Sequence, residues 1–328
     1  MQIAITGSIA TDHLMTFEGL FADSLVVEQL DKISLSFLTQ DLQVRRGGVG
    51  ANIAFGMASL GQRPVLVGAV GEDFTDYRSW LERHGVDCRS VHYSDSQHTA
   101  RFVCTTDRDM AQIATFYAGA MTEARDIELG PVADRVGGLD LVVIGANDPV
   151  AMQRHTDECR SRGIPFAADP SQQLAFLDGE GIRALIDGAE YLFTNEYEAG
   201  IACQKTGWSD DELADRVRVQ IKTQGKDGAT VRVRGEEAIH VKAAREVRRA
   251  DPTGVGDAFR AGFLTGLAAE LSVQRCAELG AMLATYVIET VGTQEYTLRK
   301  GRFLERLAEA YGDDCAAEIG PHIECERP

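Results

Sequence analysis

Short apolar runs alternate with amphipathic stretches along most of the chain. The runs Ile3–Thr6, Val65–Val70, Leu141–Ala146, Pro165–Pro170, Tyr191–Asn195 and Val219–Thr223 read as strands. They are nearly continuous in apolar residues, as expected of strands covered on both faces. Between them, Ala51–Leu60, Thr75–His84, Ala151–Arg162 and Asp210–Val217 carry helical periodicity. Strands alternating with helices predict an α/β fold with a mainly parallel sheet. The last third changes character, with Gly256–Ala269, Val273–Val291 and Arg302–Tyr311 as the predicted helices.

Two segments break this rhythm. Residues 14–46 mix Phe17, Phe21, Leu25, Val26, Ile33, Leu35, Phe37 and Leu42 with polar positions. Residues 98–118 read as a β-hairpin turning at Asp107–Asp109. The division expected is an α/β core of residues 1–13, 47–97 and 119–328, with 14–46 and 98–118 as an inserted β lid. Residues from about 312 are expected to form a loose tail, and the Phe17, Phe21 and Phe37 rings to give the lid an apolar outer face suited to a homodimer.

Composition narrows the partners. The 328 residues include 33 basic and 50 acidic side chains, a formal net charge of −17. Such a charge repels nucleic acid and anionic membrane alike. Seven scattered cysteines without a CxxC pair, and a start without a basic or apolar leader, lead to the expectation of a cytoplasmic protein with reduced thiols. Cys315, His322 and Cys325 are too loosely spaced to suggest a metal site.

The candidate chemistry centres on Asp251–Phe259, DPTGVGDAF. Gly254 and Gly256 open the backbone to a ligand, and the N–H groups of residues 254–257 converge at a helix start suited to phosphate. Asp257 in that first turn either caps the helix or serves as a base beside a bound hydroxyl. On its own the loop leaves both readings open.

Five motifs in order change the balance. Gly7–Asp12 (GSIATD), Arg45–Gly61 (RRGGVGANIAFGMASLG), Asn195–Glu198 (NEYE), Thr223–Gly228 (TQGKDG) and Asp251–Asp257 together resemble the signatures of the PfkB, or ribokinase-like, carbohydrate kinases. The resemblance implies a three-layer α/β/α core with a small β lid, and ATP-dependent phosphorylation of an alcohol. It assigns Asp257 as base, with Gly254, Val255 and Gly256 as the anion hole. It gives Ser8, Asp12, Ser36, Gly48 and Asn52 to the acceptor's sugar. Asn195, Thr223, Gly225 and Gly228 go to ATP, and Glu198 to Mg2+ through water. Asp251 and Thr253 resemble a monovalent-cation (K+) site that family members use unevenly. Pro252 and Val255 depart from the usual signature.

The acceptor is read from further residues. Phe102 and Phe116 lie near-symmetrically about the hairpin turn, where two rings could sandwich a purine. Gln172 and Gln173 offer amides to a base edge or ribose. With Ser34–Phe37 (SLSF), Gly145–Pro149 (GANDP) and Glu289–Glu295 (ETVGTQE), they resemble the bacterial adenosine-kinase branch of the family. The expected partners are therefore adenosine and ATP. A ribose or fructose kinase and a non-catalytic nucleoside sensor are the rivals. A dinucleotide-dependent dehydrogenase is excluded, because GSIATD lacks the glycine spacing after the first strand. Phe176 stands where a basic group near the transferring phosphoryl is expected, leaving Lys222 and Lys226 as the candidate cations.

Overall fold

The structure, a computed structural model, describes residues 1–24 and 36–325. Leu25, Val26, Ile33, Ser34 and Leu35 lie outside the described residues. Thirteen strands are described: β1 (Ile3–Thr6), β2 (Ala10–Phe17), β3 (Asp41–Gly47), β4 (Val65–Val70), β5 (Asp87–Tyr93), β6 (Ala100–Asp107), β7 (Gln112–Tyr117), β8 (Leu141–Gly145), β9 (Phe166–Asp169), β10 (Tyr191–Asn195), β11 (Val219–Thr223), β12 (Ala229–Val233) and β13 (Ile239–Val241). Nine of them form one sheet in the order β13-β12-β11-β10-β9-β8-β1-β4-β5. All neighbours from β11 to β5 are parallel, and only β12 and β13 run antiparallel at the edge.

The continuous apolar runs are explained by two core layers. Along β1, Ile3 and Ile5 face a layer containing the helices Val49–Ser59, Val255–Ala268 and Val273–Ile288, while Ala4 faces the opposite layer. In β8, Leu141 and Val143 point one way and Val142 and Ile144 the other. Every position of such a strand is buried, so no polar alternation survives. The chain leaves β1 for β4 on one side and returns to β8 on the other. That reversal opens a crevice at the carboxyl ends of β1, β8 and β9, where ligands bind in open α/β sheets.

The remaining strands make a second sheet, β3-β2-β6-β7. It begins at Ala10, earlier than the expected lid boundary. The hairpin β6–β7 turns at 108–111, where the Asp107 carboxylate accepts from the backbone N–H groups of Asp109 (3.0 Å), Ala111 (2.9 Å) and Phe21 (3.0 Å). Asp107 thus ties the turn to the other half of the lid. Phe17, Phe21 and Phe37 do not form an outer apolar face: their rings pack on one another at 4.9–5.7 Å, and Phe21 is buried. Exposed apolar positions of this sheet include Leu42, Val44, Ile113 and Phe116, with Leu38 and Met110 in the segments beside it.

The loose tail is a second correction. Asp313–Ile319 is helical, and Cys315, Ile319, Ile323 and Cys325 are buried. The Ile323 carbonyl accepts from Lys300 Nζ at 2.8 Å, and Glu324 N–H donates to Leu60 O at 3.0 Å. Among the described residues no group of side chains is arranged for a metal, and no helix is long and apolar enough to cross a membrane.

Candidate active site

A cavity of about 530 Å³ fills the crevice between the large sheet and the second sheet. From the core side it is lined by Ser8, Gly48, Asn52, Gly254 and Asp257, and from the second sheet by Asp12, Phe102 and Phe116. Gln172 and Gln173 close one end, beside Phe176. A second cavity of about 350 Å³ is lined by Thr223, Gly225, Gly228, Val255 and Gly256, with Phe259, Ala281 and Ile288 supplying an apolar wall. The two cavities meet at the N-terminus of the helix Val255–Ala268, which gives Gly254 and Asp257 to one and Val255 and Gly256 to the other.

Two glycines are dictated by this geometry. Gly48 has φ 94°, and a Cβ there would sit 2.5 Å from Ser8 O and 2.7 Å from Ala10 N. Gly254 has φ 77°, and its Cβ would meet Thr293 Cγ2 at 2.8 Å. Each lets a helix start where the backbone turns left-handed beside the cavity. Ser8 Oγ accepts from Val49 N–H at 3.0 Å, so it caps the first of these helices as well as lining the site. At the second helix the first intrahelical bond is Ala258 N–H to Gly254 O, 2.9 Å. The N–H groups of Gly256 and Asp257 therefore have no helical acceptor, whereas that of Val255 turns back to Pro252 O at 3.4 Å.

Asp257 is half-buried at the cavity floor. Burial pushes its carboxyl up to about 7, with Asn52 and Arg260 pulling it down and Asp169 and Glu198 pushing it up. A carboxylate near 7 is suited to accept a proton at neutral pH. Asp12 is raised to about 6 by burial, against the nearby Arg45. Asn52 Nδ2 donates to Asp257 Oδ2 at 2.8 Å.

The sequence search for a cation missed Arg260, one helical turn beyond Asp257. It is buried, 2.7 Å from Asp169 and 3.8 Å from Glu198, and its Nη1 donates to the Gly256 carbonyl at 3.1 Å. Burial works against its charge, but Asp169 and Glu198 outweigh it. It lines neither cavity; it sits behind the loop and adds positive potential there. The only sequence signal was an arginine inside an apolar helix. Lys222 is not available to a phosphate, because Asp210 holds it at 2.8–2.9 Å. Lys226 does line the second cavity, and Arg45 and Arg46 line the first.

Other expected residues stand apart. Ser36 is exposed and does not line the cavity. Asn195 and Glu198 line neither cavity but form a reciprocal capping box, with both bonds at 2.8 Å. Glu198 acts on Asp257 by charge, after Asp169, and its oxygens suit a hard cation carried on ATP phosphates. Asp251 accepts from Thr253 N–H (2.9 Å) and Gly292 N–H (3.0 Å) and lies 3.9 Å from Arg45. Its charge is thereby met in part within the protein.

Phe102 and Phe116 are directly opposed in the β6–β7 register and share the cavity face. Side by side on one sheet face, they form a single aromatic wall; they cannot be two jaws of a sandwich. Gln173 Nε2 donates to Asn147 O at 2.8 Å, and Gln172 Oε1 accepts from Ser171 Oγ at 2.8 Å.

Comparison with known proteins agrees with this geometry. The model of the pfkB family of carbohydrate kinases matches residues 20–300. A nucleoside kinase of Methanothermobacter thermautotrophicus is 31% identical over 270 residues, covering 81% of this chain and 85% of its own. The structure of a Burkholderia thailandensis nucleoside kinase in complex with inosine is 34% identical, with a TM-score of 0.83 over 94% of this chain and 99% of that one. The same kinase in complex with ADP-inosine is 35% identical, with a TM-score of 0.80, covering 94% of this chain and 96% of that one. With a ribokinase-like fold, the signature loops gathered at two adjoining cavities and a family match across most of its length, the chain belongs to the pfkB family of carbohydrate kinases.

Proposed function

We propose that the protein is an ATP-dependent nucleoside kinase whose acceptor is adenosine, transferring the γ-phosphoryl group to the ribose 5′-hydroxyl to give AMP and ADP. The observation that carries this reading is the aromatic wall of Phe102 and Phe116 in the same cavity as Asp12, Asn52 and Asp257. A free sugar has no use for such a wall, while base–aromatic stacking contributes about 1–3 kcal/mol per base. Phe176, 81% exposed on the loop after Gln173, lines the same cavity and offers the base a further ring. The nucleoside kinases among the relatives support the same substrate class.

Asp12 and Asn52 would hold the ribose hydroxyls and orient the 5′-oxygen toward Asp257, which takes its proton as that oxygen attacks phosphorus. ATP would lie in the second cavity, with its adenine on the apolar wall of Phe259, Ala281 and Ile288. Glu198 would help hold, through water, the Mg2+ carried on ATP, which would neutralise phosphate charge. The Gly256 and Asp257 N–H groups stabilise the anion that develops, assisted by the field of Arg260.

The test is product identity. With Mg·ATP and adenosine, mass spectrometry should find AMP in amounts equal to the ADP formed, and 5′-deoxyadenosine should yield no phosphorylated product. Phosphorylation of 5′-deoxyadenosine would contradict transfer to the 5′-oxygen. Turnover of inosine well ahead of adenosine would keep the nucleoside reading and overturn the choice of base.

A further inference from the structure

Behind Asn52 lies a buried chain of hydrogen bonds whose direction is fixed by its two ends. The Gly47 carbonyl can only accept, so the Tyr77 hydroxyl 2.9 Å away donates to it. That hydroxyl must then accept from Gln294, and the group facing it at 2.6 Å is Nε2. At the other end the Trp80 indole N–H can only donate, and it meets Gln294 Oε1 at 3.2 Å. Both ends impose the same orientation on the Gln294 amide, which is fully buried. Its Nε2 therefore also donates to Asn52 Oδ1 at 2.9 Å, where the Thr293 hydroxyl is a second neighbour at 2.9 Å. With its oxygen held on this side, Asn52 turns Nδ2 toward Asp257. A flipped Asn52 would set an oxygen against the carboxylate.

We propose that Gln294 is a positioning residue for phosphoryl transfer: anchored by Tyr77 and Trp80, it locks the Asn52 amide so that Asn52 donates to Asp257. This rests on the assignment of Asp257 as the base. Gln294 lines neither cavity and touches no substrate, so its effect passes through Asn52. The consequence has a definite sign. A donated hydrogen bond favours the ionised carboxylate, and the base must be ionised to act. Losing the lock raises the pKa of Asp257 and moves the acid limb of the rate profile to higher pH. The charged and titratable groups that also face Asp257 are Arg260 on its own helix, Asp169 after β9, Glu198, and Tyr296 beyond Gln294. Asp12 shares the cavity. All are retained in the variants below.

The experiment is the pH dependence of kcat with saturating adenosine and Mg·ATP for the wild type, Gln294→Met, Gln294→Glu and Asp257→Asn, with thermal unfolding of each. Gln294→Met removes the lock, and the isosteric Gln294→Glu guards against a packing defect. The expected result is an acid limb about one pH unit higher in both, hence about a tenfold loss near pH 6 that nearly vanishes near pH 9. A loss uniform across pH, or an unmoved limb, overturns the inference. If Asp257→Asn is inactive while the limb stays put, only the lock fails. If Asp257→Asn keeps near-native turnover, the base assignment fails and the lock with it.

Discussion

At the scale of single residues, the Asp257 carboxylate is held in a costly state. Asp257 titrates at about 7 in the folded chain against about 3.9 in an unfolded one. Its raised value means the folded state keeps a proton that the unfolded state has lost between roughly pH 4 and pH 7, so stability falls as pH rises through that window. Asp257→Asn removes the ionisation and keeps an oxygen for Asn52. That variant should lose turnover by orders of magnitude yet be more stable than the wild type at pH 8, by up to about 4 kcal/mol, with the gap closing toward pH 4. A gap that is constant across pH would show that Asp257 titrates normally. The helix start at DPTGVGDAF was legible, because glycine spacing and a helix start are local properties. Arg260 and Gln294 were not, because their meaning depends on Asp169, Tyr77, Trp80 and Asn52, which come from distant segments.

At the scale of elements, the second sheet lines one side of the first cavity. Its alternation puts Asp12, Phe102 and Phe116 on the cavity face and Leu42, Val44 and Ile113 on the other. Phe102→Ala should raise the KM for adenosine by about tenfold, in line with the loss of roughly 1–3 kcal/mol of stacking, with the KM for ATP nearly unchanged. Equal changes in both would place Phe102 outside the acceptor site. The hairpin was readable from β-branched and aromatic residues on either side of a polar turn. The strands β5, β12 and β13 escaped notice because edge strands carry polar residues and lack a continuous apolar run. The C-terminal helix escaped for a related reason: its buried Cys315 and Ile319 are too few to set a period.

At the scale of the whole molecule, strand order explains why the site is where it is. The reversal between β4 and β8 about β1 gathers Ser8, Ala146 and the loop after Asp169 at one crevice, and the two long C-terminal helices wall the cavity beside it. Against the net charge of −17, the second cavity carries Lys226 and Arg249 against Glu246 alone, so an anionic donor meets a small local excess of basic side chains on an acidic protein. Fold and phosphate chemistry were both legible from the order of motifs. The nucleoside class of acceptor was legible too and is shared by the relatives, but the particular nucleoside was not, since one fold serves many alcohols and the lining of the cavity chooses among them. The most direct measurement is therefore ADP formation with adenosine, inosine, guanosine, ribose and fructose as parallel acceptors. The account expects the highest kcat/KM for adenosine and at least about a hundredfold lower values for the free sugars, which forgo the stacking energy of the aromatic wall. Efficient phosphorylation of ribose or fructose without turnover of any nucleoside would contradict it.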